Sequence, residues 1–441
     1  MFKSLRNALK VVDIRRKLLF TFLMIVIVRL GSQVPTPGVN TAFVREWWSN
    51  QTATAFNFFN TITGSSFTNM SIFALSITPY ITASIIMQLL TIAIPKLEEL
   101  HKEGEEGRKV INRITRYMNV GLSVIQSVAM AIGFGSRFLI HYTWYNVIFV
   151  AMIMTAGSAV LMWLGEQITE KGIGNGISII LLVNIISDMP SDFRTLYTTF
   201  IKGKNIALGI VIAVVILAFL LAMVVFVVYL QDGERHIPVQ YAKKMQGRKM
   251  VGGQSSYIPL KVNTAGVIPV IFASSLLSFP ALIAGFFNFN YTAPTNIGGH
   301  IIKLLTQSQW CNPEQPIYTI GLLIYLALLV FFAYFYTSIT FNPIEVADNM
   351  KKQGGFIPGI RPGRPTSEYL ENILNYLIFI GATGLSVVAV VPIILFGLFG
   401  VGSSLSFFGN SLIIIVGVIM ETLKQVESMM LVRYYKGFLS D

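Results

Sequence analysis

Few residues in this 441-residue chain could carry chemistry, so each group can be judged by its spacing. Four histidines, His101, His141, His236 and His300, are scattered through polar segments with no metal-ligand spacing. Cys311 is the single cysteine, which excludes an intrachain disulfide, a CxxC redox pair and a thiolate metal cluster. The stretch GIGNGIS at 172–178 has the glycines of a phosphate cradle. No strand pattern precedes it, however, and no Lys-Ser or Lys-Thr pair closes it. Glycines that permit a tight turn into a helix account for it better. HExxH, GxSxG and Walker patterns do not occur, and no paired carboxylates suit an intramembrane enzyme. The expectation is a non-enzyme with no metal and no cofactor, whose directed work must be driven by a partner or a gradient.

Composition explains why the chemistry is sparse. Hydrophobic residues make up 54% and charged residues 12% of the chain, the latter about half the ~25% of soluble domains. This is the composition of an integral membrane protein. The net charge of +12 could suit nucleic acid, although basic loops in a membrane protein more often report orientation or lipid contact. The basic, amphipathic N-terminus MFKSLRNALKVVDIRRK runs into an apolar stretch without a cleavage site and reads as a retained interfacial helix.

Apolar runs able to span about 30 Å of hydrocarbon fall near 18–35, 71–94, 118–137, 144–165, 206–230, 264–287, 317–340, 373–399 and 404–423. A tenth, near 175–189, is short and ends in Asp188 and Pro190. Of the 33 Lys and Arg, 26 fall in loops on one side, six on the other, and Arg29 within the first span. The asymmetry puts both termini in the cytoplasm. The external segment 188–205 would be a hinge between halves 1–187 and 206–441. Pro79, Ile81, Ala83 and Ser84 echo Pro269, Ile271, Ala273 and Ser274 as P-x-I-x-A-S, each in the second span of its half. Five spans per half force inverted orientation, with the path at the repeat interface.

Inside the membrane, charge is nearly absent. Arg29 lies near the outer end of the first span, where snorkelling would relieve it, and Glu421 and Lys424 fall at the wet end of the last. Ile77 and Ile81, four apart, share one helix face. Before them, NTITGSSFTNM is too polar for lipid and too short for a domain; it is either a loop or a short re-entrant helix with few apolar anchors. In KKQGGFIPGIRPGRPT, at 351–366, Pro358, Pro362 and Pro365 stiffen a basic loop while Gly354, Gly355, Gly359 and Gly363 set its turns. Thr366 or Ser367 is expected to cap the next helix, with Glu368 in its first turn.

Five blocks, SIFALSITPYITASIIMQLL, MWLGEQITEKGIGNGISII, QYAKKMQGRK, IPLKVNTAGVIPVIFASS and NPIEVADNMKKQGGFIPGIRPG, together resemble the SecY family, the channel subunits of the bacterial Sec protein-translocation complex. The resemblance covers nearly the whole chain, in order. It implies an all-α polytopic membrane protein with ten transmembrane helices in two inverted five-helix halves around a central hourglass pore. It implies a protein-conducting channel of the cytoplasmic membrane that passes unfolded secretory polypeptides and releases membrane-protein segments laterally. Carried over by position, the pore ring falls on Ile77, Ile81, Leu181, Ile271 and Ile414, with Leu181 replacing the more usual isoleucine. The plug helix falls on Gly64, Ser65, Ser66, Phe67, Thr68, Asn69 and Met70, a sequence without the glycine-pair and arginine pattern common in relatives. The lateral gate maps onto the second, third, seventh and eighth spans, where Gln88, Gln126 and Asn263 would form a breakable polar latch.

The loops at 231–262 and 341–371 would dock the ribosome or a SecA motor. Arg235, Lys243, Lys244, Arg248 and Lys249 suit rRNA phosphates, and Arg361 suits a defined pocket. SecE and SecG would be small membrane partners, and signal peptides, nascent chains and bilayer lipid the other contacts. The competing reading is a secondary transporter for a small solute, which also favours inverted repeats and broken helices. Sparse intramembrane charge and large structured loops favour the channel.

Overall fold

A backbone in hydrocarbon must satisfy its own hydrogen bonds, which makes helix the default for a chain this apolar. The computed structural model describes residues 10–50, 56–202, 206–241, 244–246, 249–251, 255–286, 296–311, 315–398 and 408–437. Up to residue 202 the elements are α1 (Val12–Gly31), α2 (Thr41–Asn50), α3 (Phe56–Thr63), α4 (Thr78–Ala93), α5 (Pro95–Lys102), α6 (Glu105–Gly133), α7 (Trp144–Lys171) and α8 (Gly176–Leu196). From 206 come α9 (Ile206–Asp232), β1 (Glu234–Tyr241), β2 (Lys244–Gln246), β3 (Lys249–Val251), β4 (Ser255–Lys261), α10 (Ile268–Phe286) and α11 (Ile297–Leu305). The chain continues through α12 (Ile320–Thr340), α13 (Pro343–Lys352), β5 (Gly355–Phe356), α14 (Arg364–Leu398) and α15 (Phe408–Gly437).

The ten expected spans coincide with α1, α4, α6, α7, α8, α9, α10, α12, α14 and α15. Among the described residues, five helical stretches are by themselves long and apolar enough to cross a bilayer, and α4 with α5, bent by 100°, would make a sixth. The interior of α6 is polar for a span, but Asn119, Ser123, Gln126 and Ser127 are all buried. Ser123 Oγ donates to Ser158 Oγ at 3.2 Å and Ser127 Oγ lies 3.2 Å from Thr155 Oγ1, so small hydroxyls hold α6 to α7 where a hydrophobic driving force is absent.

Two expectations about the spans need correction. The run 175–189 does not end at Pro190. Its helix begins where Asn175 Oδ1 accepts from the Ile177 and Ser178 amides, passes through Pro190 to Leu196, and closes in a π turn at Tyr197–Ile201. The crossing at 71–94 is not helical throughout, since residues 72–77 are turns and α4 starts only at Thr78.

The loops on the basic face also differ from expectation. β1 pairs antiparallel with β4, Ile237 opposite Ile258, and on its other edge with β5, Gln240 opposite Phe356. The two loops therefore form one three-stranded sheet in the order β4-β1-β5. Its inner face buries Ile237, Val239 and Leu260 against Met350, Ile357, Leu370 and Ile373. Lys424 of α15, still partly exposed, bridges Asp232 at 3.0 Å and Glu234 at 3.2 Å, tying the base of the hairpin to the last span. Val239→Asp would place a charge at the centre of this small core at a cost on the order of 3 kcal/mol. Trypsin should then cut at Lys351, Lys352 and Arg361 much faster than in the parent, with the membrane helices still protected; unchanged cleavage would mean the two loops are stable separately.

Candidate pore constriction, plug and docking surface

Proline fixes where the constriction-bearing helices start. Pro79 and Pro269 are each the second residue of their helix, where a missing N–H costs nothing. Each helix is preceded by six turn residues, 72–77 and 262–267. Ile81 and Ile271 consequently occupy the same helical position in two helices of opposite direction. Ile77 ends the turn before α4, Leu181 lies early in α8 and Ile414 early in α15. All five side chains are between 0% and 8% exposed and belong to one contiguous apolar cluster that draws on both halves of the chain.

The segment 64–70 is a chain of turns following α3, not the helix the resemblance implied. Apolar packing and side-chain hydrogen bonds hold it and its flanks. Phe67 and Met70 are 0% exposed and pack with Leu75, Met130, Phe134 and Phe138, so the expectation of few apolar anchors fails. Arg29 Nη1 donates to the Gly64 carbonyl at 3.2 Å, and Ser65 Oγ donates to Asp188 Oδ1. Asn184 Nδ2 donates to the Ile62 carbonyl at 3.0 Å and to Ser76 Oγ at 3.2 Å. Asn69 Oδ1 accepts from Arg45 at 3.3 Å. Gly64, at φ 59, sits so close to α8 that a Cβ would lie 2.7 Å from the Asn184 Cα. Arg29 therefore does not snorkel away. It and Asp188 attract one another across the segment, one from α1 and one from α8. Sequence reasoning passed over Asp188 as a span terminator; its one available signal was a carboxylate inside an otherwise apolar run.

The proposed latch is not assembled as expected. Asn263 Nδ2 donates to the Gly266 carbonyl at 2.9 Å, inside its own turn. Gln88 Oε1 on α4 and Gln126 Oε1 on α6 are buried and make no hydrogen bond to protein. Between the halves, α6 and α3 pack against α10 on one side, and α8 packs against α15 on the other.

On the basic face, Arg235 is exposed on β1 and Arg361 is exposed at the loop tip. Lys244 pairs with Val251 and Gln246 with Lys249 in a two-stranded hairpin, while Lys243 and Arg248 lie outside the described residues. Gly363, at φ 105, is the residue before α14, and its carbonyl accepts from the Thr366 and Ser367 amides at 3.0 and 3.2 Å. Thr366 and Ser367 thus sit inside the first turn and are not its caps. The Thr366 hydroxyl instead donates to the Arg361 carbonyl at 2.8 Å, fixing the backbone that carries the arginine. Gly355 is a strand residue against Tyr241, not a turn residue. Glu368 pairs with Arg364 at 2.9 Å.

The SecY family model matches residues 71–423, from the turns before α4 to the middle of α15. The chain is 44% identical to the protein translocase subunit SecY of Halalkalibacterium halodurans, covering 100% of both chains. The chain belongs to the SecY family. A solved protein-conducting channel superposes with a TM-score of 0.65 at 20% identity, covering 95% of this chain and 93% of that one. Sec61 in the canine ribosome–channel complex from the endoplasmic reticulum gives 0.62 at 18%, covering 94% and 92%. The fold is that of the family: a multi-pass membrane protein of ten helical spans in two inverted halves around a central pore.

Within that family fold, the anchors on segment 64–70 differ in kind. Losing the bond from Ser65 to the Asp188 carboxylate should cost about 1.5–3 kcal/mol, or roughly 10- to 100-fold in the population of a released segment. In a Cys311→Ser background with Thr68→Cys as reporter, Asp188→Ala should accelerate maleimide labelling by about that factor. Labelling at the parent rate would mean that the remaining anchors hold the segment without this bond.

Proposed function

We propose that this chain is the channel subunit of a bacterial protein translocase and acts as a passive conduit. Unfolded secretory polypeptides cross through the ring of Ile77, Ile81, Leu181, Ile271 and Ile414, and membrane-protein segments leave sideways between α4–α6 and α10–α12. The observation that carries the reading is that all five residues are buried in one apolar cluster drawn from both halves, two of them near the starts of helices that begin after matching turns. An apolar collar can fit loosely round a passing chain and still hold back water and ions, because a narrow hydrophobic constriction dewets. Gly64–Met70 serves as the plug on the outer side of this collar. Gln88 and Gln126, whose Oε1 atoms are buried without a hydrogen-bond partner among the described residues, are the gate polar groups that opening would wet.

The halves are residues 1–187 and 206–441, joined by 188–205. Both termini and the β-sheet face the cytoplasm of a bacterial cell membrane, as the basic side requires. No catalytic step belongs to the chain; a SecA-type motor or the ribosome supplies the work, and SecE and SecG complete the membrane complex. Arg235, Lys243, Lys244, Arg248 and Lys249 neutralise rRNA phosphates or acidic motor surfaces, while Arg361, held by the Thr366 bond, enters a specific pocket. Ribosome-bound relatives of the same fold support the docking side of this reading.

Two experiments test it. Serine at Ile81, Leu181, Ile271 and Ile414 together should wet the collar and raise resting ion conductance in planar bilayers, with normal membrane levels; currents equal to the parent would sink the assignment. Arg361→Glu puts like charge against the partner and removes a fork of donors, a cost of about 2–5 kcal/mol, or roughly 30- to several-thousand-fold in binding. Translocation into vesicles at limiting motor should fall steeply, and Arg361→Lys should be intermediate. Full transport by the glutamate variant would leave the loop as a topology signal only.

A further inference from the structure

Each half carries one buried asparagine beside its collar residue on its fifth span. Asn184 follows Leu181 by three residues on α8, and Asn410 precedes Ile414 by four on α15. Since α8 and α15 run in opposite directions through the membrane, both asparagines stand one helical turn from the collar on the same side, the face away from the basic loops. Each reaches the second span of its own half. Asn184 Nδ2 donates to Ser76 Oγ at 3.2 Å, and Asn410 Nδ2 donates to Ser274 Oγ at 3.1 Å. Ser76 immediately precedes Ile77, and Ser274 follows Ile271 by three, so both hydroxyls also lie just outside the collar. Tyr325 of α12 completes the second tie by donating to Asn410 Oδ1 at 2.9 Å. All five residues are buried.

The sequence repeat does not supply this match. In P-x-I-x-A-S the counterpart of Ser274 is Ser84, not Ser76. Two non-equivalent serines thus make the same kind of bond at the same depth. The ties also join helices that are not main packing neighbours: α8 packs chiefly on α7 and α3, and α15 on α14 and α9. In a water-poor surrounding, a primary amide without its acceptor is costly, so each tie resists separation of the two helices it joins.

We propose that Asn184 and Asn410 are positioning residues for the collar. Each fixes the collar side chain of its fifth span relative to that of its second span, so the pore changes width between the halves and not within one. The proposal rests on the collar assignment above, and the two can fail separately. Resting conductance in planar bilayers and thermal stability in detergent are measured for Asn410→Leu, Ser274→Ala and Ser76→Ala, beside the collar serine variants. The tie variants should leak several-fold more than the parent, and the exchange Asn410→Ser with Ser274→Asn should restore the parent conductance. Tie variants that stay tight while the collar serines leak would overturn the proposal. So would a leak that the exchange does not rescue and that only tracks lost thermal stability. If the collar serines also stay tight, the collar reading falls first. Should Asn410→Leu fail to accumulate, Ser274→Ala, which removes a single hydroxyl, decides the matter.

Discussion

Non-helical backbone at membrane depth survives only if the protein satisfies every peptide group, and the rest of this structure depends on how that is done at 64–77. The Met70 carbonyl accepts from the Thr36 amide at 2.8 Å, the Ile72 amide donates to the Val34 carbonyl at 2.9 Å, and the Ser71 amide donates to the Ser66 carbonyl at 3.0 Å. Arg29 and Asn184 take two further carbonyls, those of Gly64 and Ile62. With those groups paired, α4 can begin part-way through its crossing. Ile77 and Ile81 then face the interior at a depth a continuous helix would have filled with backbone. The matching turns before α10 do the same for Ile271. Helix starts at this depth are therefore possible only because α1, α7 and α8 wrap the irregular segment.

The basic face follows a similar logic of shared support. Neither cytoplasmic-type loop has enough apolar surface for a core of its own. By pairing β1 with β5, the chain builds one core from Ile237, Val239, Leu260, Ile357 and Leu370, and anchors it to the first turns of α14. Arg361 then projects from a loop whose backbone is held at Gly363 and Thr366, which leaves that backbone little conformational freedom. Lys424 closes the base of the same unit onto α15, the helix that carries Ile414.

How much of this was legible in the sequence depends on the range of the interaction. Hydropathy located all ten spans, and the P-x-I-x-A-S echo located two helix starts, because both signals are local. The resemblance singled out five positions by order along the chain, and all five are buried in one apolar cluster. Contacts between distant segments were not legible. Ser65 and Asp188 are 123 residues apart, and no local pattern pairs them. β5 is two residues long, too short for any alternation to announce it. Phe67 and Met70 sit in a polar run where composition argues for exposure, yet α6 and the segment around Phe138 supply a pocket. Thr366 looked like a cap because it precedes an apolar helix, but Pro365 and Gly363 start that helix two residues earlier.

Within each half, the packing is closer than side chains alone allow. A Cβ at Gly157 would lie 2.0 Å from the Ile72 carbonyl oxygen, one at Gly176 1.9 Å from that of Gly165, and one at Gly409 2.3 Å from that of Val388. Such backbone contact gives van der Waals attraction that any added methyl would destroy, and it resists shear. Between the halves the character changes. At the α6–α10 side, the buried Gln126 Oε1 of α6 makes no hydrogen bond among the described residues. At the α8–α15 side, Gln425 Oε1 accepts from the Gly174 amide and Ile173 packs on Val426, while the π turn at Tyr197–Ile201 packs against α9. The two sides of the interface are thus unequal: one is bonded and continuous in the chain, the other is polar and incompletely paired. A load that separates the halves therefore meets less resistance at α6–α10 than at α8–α15.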